Sequence, residues 1–104
     1  MPPQSASADL ASSDRPVRAR QDDLAWRRAG DEVVVLDLAA SSYHALNASG
    51  ALLWERLADW ATAEELTRVL AVAFGLPSAT AVRDVARFID GCYEAGLLET
   101  HPER

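Results

Sequence analysis

The sequence has no lysine. All ten basic residues are arginine, set against sixteen Asp and Glu, for a net charge of −6 over 104 residues. Three of the arginines but only two of the acids fall in the first twenty positions, so the remainder is the more acidic part. An acidic surface does not draw phosphate by its bulk field, which weighs against a nucleic-acid partner, although a local Arg patch can suffice. Cysteine occurs once, as Cys92, which excludes an internal disulfide framework and a multi-cysteine zinc site. The two histidines, His44 and His101, stand far apart with no ligand spacing, so neither metal nor cofactor is expected. No apolar run approaches the roughly 20 residues of a membrane helix. The Met-Pro-Pro-Gln-Ser start has no apolar signal core. A soluble cytoplasmic protein with one small domain and a modest core is expected.

The chain divides by composition. Residues 1–21 are rich in Ser, Ala, Pro and charge, lack a burial pattern, and are expected to be a disordered arm. The domain is expected over residues 22–100, with a mobile tail at 101–104 that includes His101. "LAWRR" from Leu24 alternates as a short strand, and Ala29-Gly30-Asp31 makes a turn. "EVVVLDL", Glu32 to Leu38, is the strongest strand signal, with Val33, Val35 and Asp37 on one face and Val34, Leu36 and Leu38 on the other. After the turn "AASS", the run "SYHAL" reads as a third strand. Three strands with short connections predict an antiparallel meander.

The period then changes from two to about 3.6. Asn47 or Ser49 caps a helix to about Ala58, with Leu53, Leu57 and Trp60 as its stripe and Trp54 beside it. Thr62 and Glu65 form a capping box for a second helix, Ala63 to Phe74, which Gly75 ends. A third helix, about Ala79 to Ala95, carries Val82, Val85, Ala86, Ile89 and Tyr93 at helical spacing, and Gly96 closes it. "LLE" then packs back as an extended tail. A small sheet followed by three helices is an α+β, winged helix-turn-helix-like arrangement.

Candidate chemistry is sparse. In a strand, Ser42 and His44 share a face about 7 Å apart, too far for a nucleophile–base hydrogen bond. Cys92 and His44 are a formal pair, but a cysteine on an apolar helix face is usually a buried, inert thiol. No enzyme activity is expected. A recognition helix for DNA would offer Arg83 and Arg87, yet Asp84, Asp90 and Glu94 share the same helix and would face phosphates. A winged-helix DNA-binding regulator is therefore the alternative rather than the first reading. The remaining feature is the outer edge of the third strand. Ser41 to Leu46 contains no charged residue and no proline, the usual guards against further pairing. Such an edge can hold an extended peptide, or a second copy of the chain, by strand addition. The line Arg83, Arg87, Asp90, Glu94 could form the opposite wall, or could simply be a solvated face with i,i+3 and i,i+4 pairs.

Taken together, "EVVVLDLAASSYHALNASGALLWERL", "TAEEL…VLAVAFGL" and "DVARFIDGCYEAGLL" resemble the PqqD-like family of peptide chaperones, also described as RiPP recognition elements. The resemblance runs through Leu36, Asp37, Tyr43, Leu46, Asn47, Ser49, Gly50 and Trp54 to Gly96-Leu97-Leu98, and spans about Leu24 to Glu99. It implies a non-catalytic protein that binds the leader segment of a ribosomally made precursor peptide. The leader would add beside Ser42, Tyr43, His44, Ala45 and Leu46. The implied helix wall is drawn from Val82, Arg83, Val85, Ala86, Arg87, Ile89, Asp90 and Tyr93. The implied enzyme partner is a leader peptidase, as in lasso-peptide pathways, or a radical-SAM enzyme, as in pyrroloquinoline-quinone biosynthesis.

Overall fold

The β-branched run is the centre of a sheet. In the computed structural model, which describes residues 15–101, the elements are β1 (Val17–Ala19), β2 (Leu24–Ala29), β3 (Glu32–Asp37), β4 (Ser42–Leu46), α1 (Ala48–Arg56), α2 (Ala63–Phe74), α3 (Ser78–Glu94) and β5 (Leu98–Thr100). β2, β3 and β4 form the expected antiparallel meander, with β3 in the middle. Gly30, at φ +67°, permits the two-residue loop between Ala29 and Glu32. Val33, Val35 and Asp37 of β3 are buried, and Leu36 on the opposite face is exposed.

Asn47 is the only residue between β4 and α1. Its side chain accepts from Gly50 N at 3.0 Å, so the strand passes directly into a capped helix. Trp54 and Leu53 of α1 and Leu57 at its C-cap are buried with Leu66 and Leu70 of α2 and Val85 and Ile89 of α3. Thr62 and Glu65 make the capping box in both directions, at 3.2 and 2.9 Å. Gly75 ends α2 in the left-handed conformation. α3 starts at Ser78, one residue before the expected Ala79, behind Pro77 and without a side-chain cap.

Two elements differ from the sequence reading. The expected arm covers residues 1–21, but Val17 and Ala19 are buried in the core as alternate residues of β1. β1 pairs with β5 in a separate two-stranded sheet, Val17 opposite Thr100 and Ala19 opposite Leu98. Val17 also exchanges backbone bonds with Ala61 at 2.8 and 2.9 Å, and Ala19 N donates to Leu57 O. The expectation for residues 1–14 and 102–104 lies outside the described residues. Nor is His101 a loose tail residue. Its N–H donates to Pro16 O, and its ring meets Trp60 edge-on at 5.0 Å. Trp60, predicted on the α1 stripe, lies beyond the helix and takes the Arg18 guanidinium over its ring at 4.3 Å. Arg18 Nε also donates to Glu99 across the β1–β5 pair.

One polar contact links these parts. Asp37, the only buried charged side chain among the described residues, accepts from Arg20 Nη2 at 2.8 Å and from the N–H groups of Ala39 and Ala40 at 3.2 and 3.1 Å. Arg20 also donates to Gly96 O at 2.6 Å and Asp22 O at 2.9 Å. The β3–β4 turn, the β1–β2 link and the end of α3 are thus joined at one ion pair. The Arg20 hydrogen bond, followed by that of Ala40 N–H, holds the Asp37 carboxyl below the ordinary carboxylate range. A depressed pKa contributes stability above the unfolded value, about 3.9, which is lost as pH falls through the folded value. Asp37→Asn should therefore unfold at lower urea than wild type at pH 7. The difference between the two should shrink in urea titrations below about pH 4.

Candidate functional site

The ladder itself decides which backbone groups β4 leaves unpaired. Leu38 N donates to Asp23 O at 2.8 Å, so even-numbered residues of β3 turn their backbone groups toward β2. Val33, Val35 and Asp37 then turn theirs toward β4, to Leu46, His44 and Ser42. Tyr43 and Ala45 are left with N–H and C=O on the far side, where no described strand pairs. Side chains alternate independently of this. Ser42, His44 and Leu46 project to the core side of the sheet, and Tyr43 and Ala45 to the outer side, where Tyr43 is 69% exposed.

Beside this edge runs a groove of about 310 Å³. One wall is His44, Ala45 and Leu46, and the other is Arg87, Phe88, Gly91 and Cys92 of α3, continuing to Ala95 and Leu97. Arg87 and Phe88 also line an adjoining lobe of about 320 Å³, which extends past Asn47, Ser49 and Gly50 at the start of α1 to Leu53, Leu70 and Asp84. Gly50 keeps this junction tight, because a Cβ there would lie 3.4 Å from Asn47 Oδ1 and 3.5 Å from Phe88 Cε1.

All five β4 positions proposed from the sequence are on the edge strand, and His44, Ala45 and Leu46 line the groove. On α3 the structure separates the proposed residues. Arg87 lines the groove. Val85 and Ile89 are core residues, 1% and 0% exposed, and do not line the groove. Val82, Ala86 and Tyr93 fall on the helix flank turned away from the groove, at 100° per residue. Val82 is exposed and Tyr93 packs half-buried against the core. Arg83 is exposed, and Asp90 is half-buried with its Oδ1 unpartnered. The wall that the sequence reading missed is Phe88, Gly91, Cys92 and Ala95. Its signal was present as the i, i+4, i+8 row Arg87, Gly91, Ala95 and the pair Phe88, Cys92, all small or apolar except Arg87.

The chemistry of the groove is that of a binding surface. Arg87 is mostly exposed and stands 4.0 Å from Asp84. Cys92 shares the groove with His44, but burial pushes its thiol up to about 12 and no neighbouring cation offsets the shift. It is a neutral apolar floor, not an activated nucleophile. Among the described residues no three His, Cys, Asp or Glu side chains gather as metal ligands, and no helix is long and apolar enough to cross a membrane. Cys92 should react with iodoacetamide at pH 8 more than about tenfold more slowly than in urea-unfolded chain, followed by mass spectrometry. Equal rates would contradict its burial.

Two solved structures share this architecture. One, "TbiB1 in Complex with the TbiA(beta) Leader Peptide", superposes with a TM-score of 0.73 at 26% identity, covering 83% of this chain and 99% of that one. The other, "Lasso peptide synthetase B1 complexed with the leader peptide", gives 0.70 at 24% identity, covering 80% and 96%, and at that identity speaks for the fold alone. No curated protein sequence matches the chain significantly. The family described as Coenzyme PQQ synthesis protein D matches residues 32–98, from the start of β3 to the start of β5. The whole of the β4 edge and the α3 wall lies within that match, and the chain belongs to the PqqD family.

Proposed function

We propose that this protein binds the leader segment of a ribosomally synthesised precursor peptide as a strand added to β4, and presents it to a processing enzyme. The observation that carries this reading is the open edge at Tyr43 and Ala45 lying directly beside an apolar groove. Backbone pairing there gives affinity, and the groove sorts alternate side chains. The leader peptide bound in the 26%-identical relative supports it, as does the family. The peptide would lie along Ser42 to Leu46 and against Arg87, Phe88, Gly91 and Cys92, with Arg87 meeting a leader carboxylate. Val85 and Ile89 would act from behind by fixing the helix, and Arg83, Asp90, Val82, Ala86 and Tyr93 would not touch the strand. A role as binding partner rather than catalyst fits the protonated thiol of Cys92. The partner enzyme would be a leader peptidase or a radical-SAM enzyme. No specific observation favours duplex DNA, since Asp84, Asp90 and Glu94 share α3 with Arg83 and Arg87.

Titration of the labelled leader of a precursor encoded beside this chain tests the reading. Ala45→Pro removes an edge N–H without touching the β3–β4 ladder, and should weaken binding at least about tenfold while the fold persists by circular dichroism. Retained affinity would sink strand addition. Arg87→Glu should also weaken binding and flatten its dependence on salt, and no change in either would make Arg87 a solvated bystander.

A further inference from the structure

We infer that Gly91 sets the size of the leader side chain that the groove accepts, and that this side chain is bulky and apolar; the inference rests on the leader-binding reading above. Glycine inside a helix is unfavourable relative to alanine and is kept where something requires it. The backbone does not require it here, because Gly91 is not among the positive-φ glycines. Internal packing does not require it either, because a Cβ built at Gly91 meets no atom within 4 Å. Gly50, by contrast, is already closed in by its neighbours. The space above Gly91 belongs to the groove, opposite His44 and Ala45 and flanked by Phe88, Cys92 and Ala95.

Strand addition says which peptide residue fills that space. Residues paired opposite Tyr43 and Ala45 point to the outer face of the sheet with those side chains. The residue opposite His44, and the one opposite Leu46, point to the face that α3 covers. A side chain entering there meets Phe88 and Cys92 but no groove charge except Arg87 at one end. An aromatic or branched apolar side chain fits that lining, and a residue larger than glycine at position 91 would take its place.

The test is a displayed library of random 12-residue peptides, selected on the full chain and on Gly91→Ala, Gly91→Leu and Ala45→Pro, with the thermal midpoint of each variant recorded. Wild type should enrich an aromatic or branched apolar residue flanked by variable positions. Peptides so selected should bind Gly91→Leu at least about tenfold more weakly, and Gly91→Ala to an intermediate degree. Replacing the bulky peptide residue by alanine should reverse the preference between wild type and Gly91→Leu. The same enriched peptides and affinities on wild type and both Gly91 variants, with loss on Ala45→Pro, would overturn the role of Gly91 and leave strand addition standing. Undiminished binding to Ala45→Pro, or no enrichment on wild type, would overturn the leader-binding reading itself.

Discussion

The Arg20–Asp37 pair fixes where the open edge lies relative to the helix that faces it. Asp37 is the last residue of β3, and its carboxylate ties down the N–H groups of Ala39 and Ala40 in the turn leading to β4. Arg20 carries that turn to Gly96, where α3 has just ended. At the other end of β4, Asn47 caps α1 within one residue of the strand. The edge strand is therefore held at both ends by polar contacts, while in its middle Tyr43 and Ala45 pair with no described strand. A buried acid of this kind is costly unless its hydrogen-bonding capacity is filled, and here three donors converge on one carboxylate oxygen.

An unguarded edge is ordinarily a route to aggregation. In this fold the hazard is limited by geometry. The strand is five residues long, and α3 stands over its core-side face to form a narrow slot rather than an open sheet. The polar ladder and the apolar wall divide the work, because backbone pairing is indifferent to sequence and the groove is not. Gly91, Cys92 and Phe88 give the wall its shape, and Arg87 marks one end of it.

Much of this was legible in the sequence. The alternation of Val33, Val35 and Asp37, the Gly30 turn, the Thr62–Glu65 box and the Gly75 stop are local signals, and each places its element. β1 was not legible as a strand, and β5 was legible only as the extended tail "LLE", without its partner. Three residues such as Val17-Arg18-Ala19 are too few for a pattern, and their pairing closes a loop of some eighty residues that no local rule can anticipate. The groove wall was misplaced for a different reason. Val82, Ala86 and Tyr93 recur at helical spacing with Val85 and Ile89, yet α3 is rotated so that Ala81 and Cys92 are buried and Val82 is 55% exposed. Ala81 and Cys92 are small, and hydrophobicity alone undervalues residues that close packing selects for size. The edge was legible because an absence of charge and proline is visible in five letters. Its pairing parity was not, because it depends on the register set across β3.

Amide hydrogen exchange by NMR, with and without leader peptide, tests strand addition at single backbone groups. In the free protein, His44 should be protected by β3, while Tyr43 and Ala45 exchange rapidly. Saturating leader should slow Tyr43 and Ala45 to the level of His44 and leave His44 little changed. If Tyr43 and Ala45 stay fast in the complex, or are already protected without peptide, the leader does not add to β4.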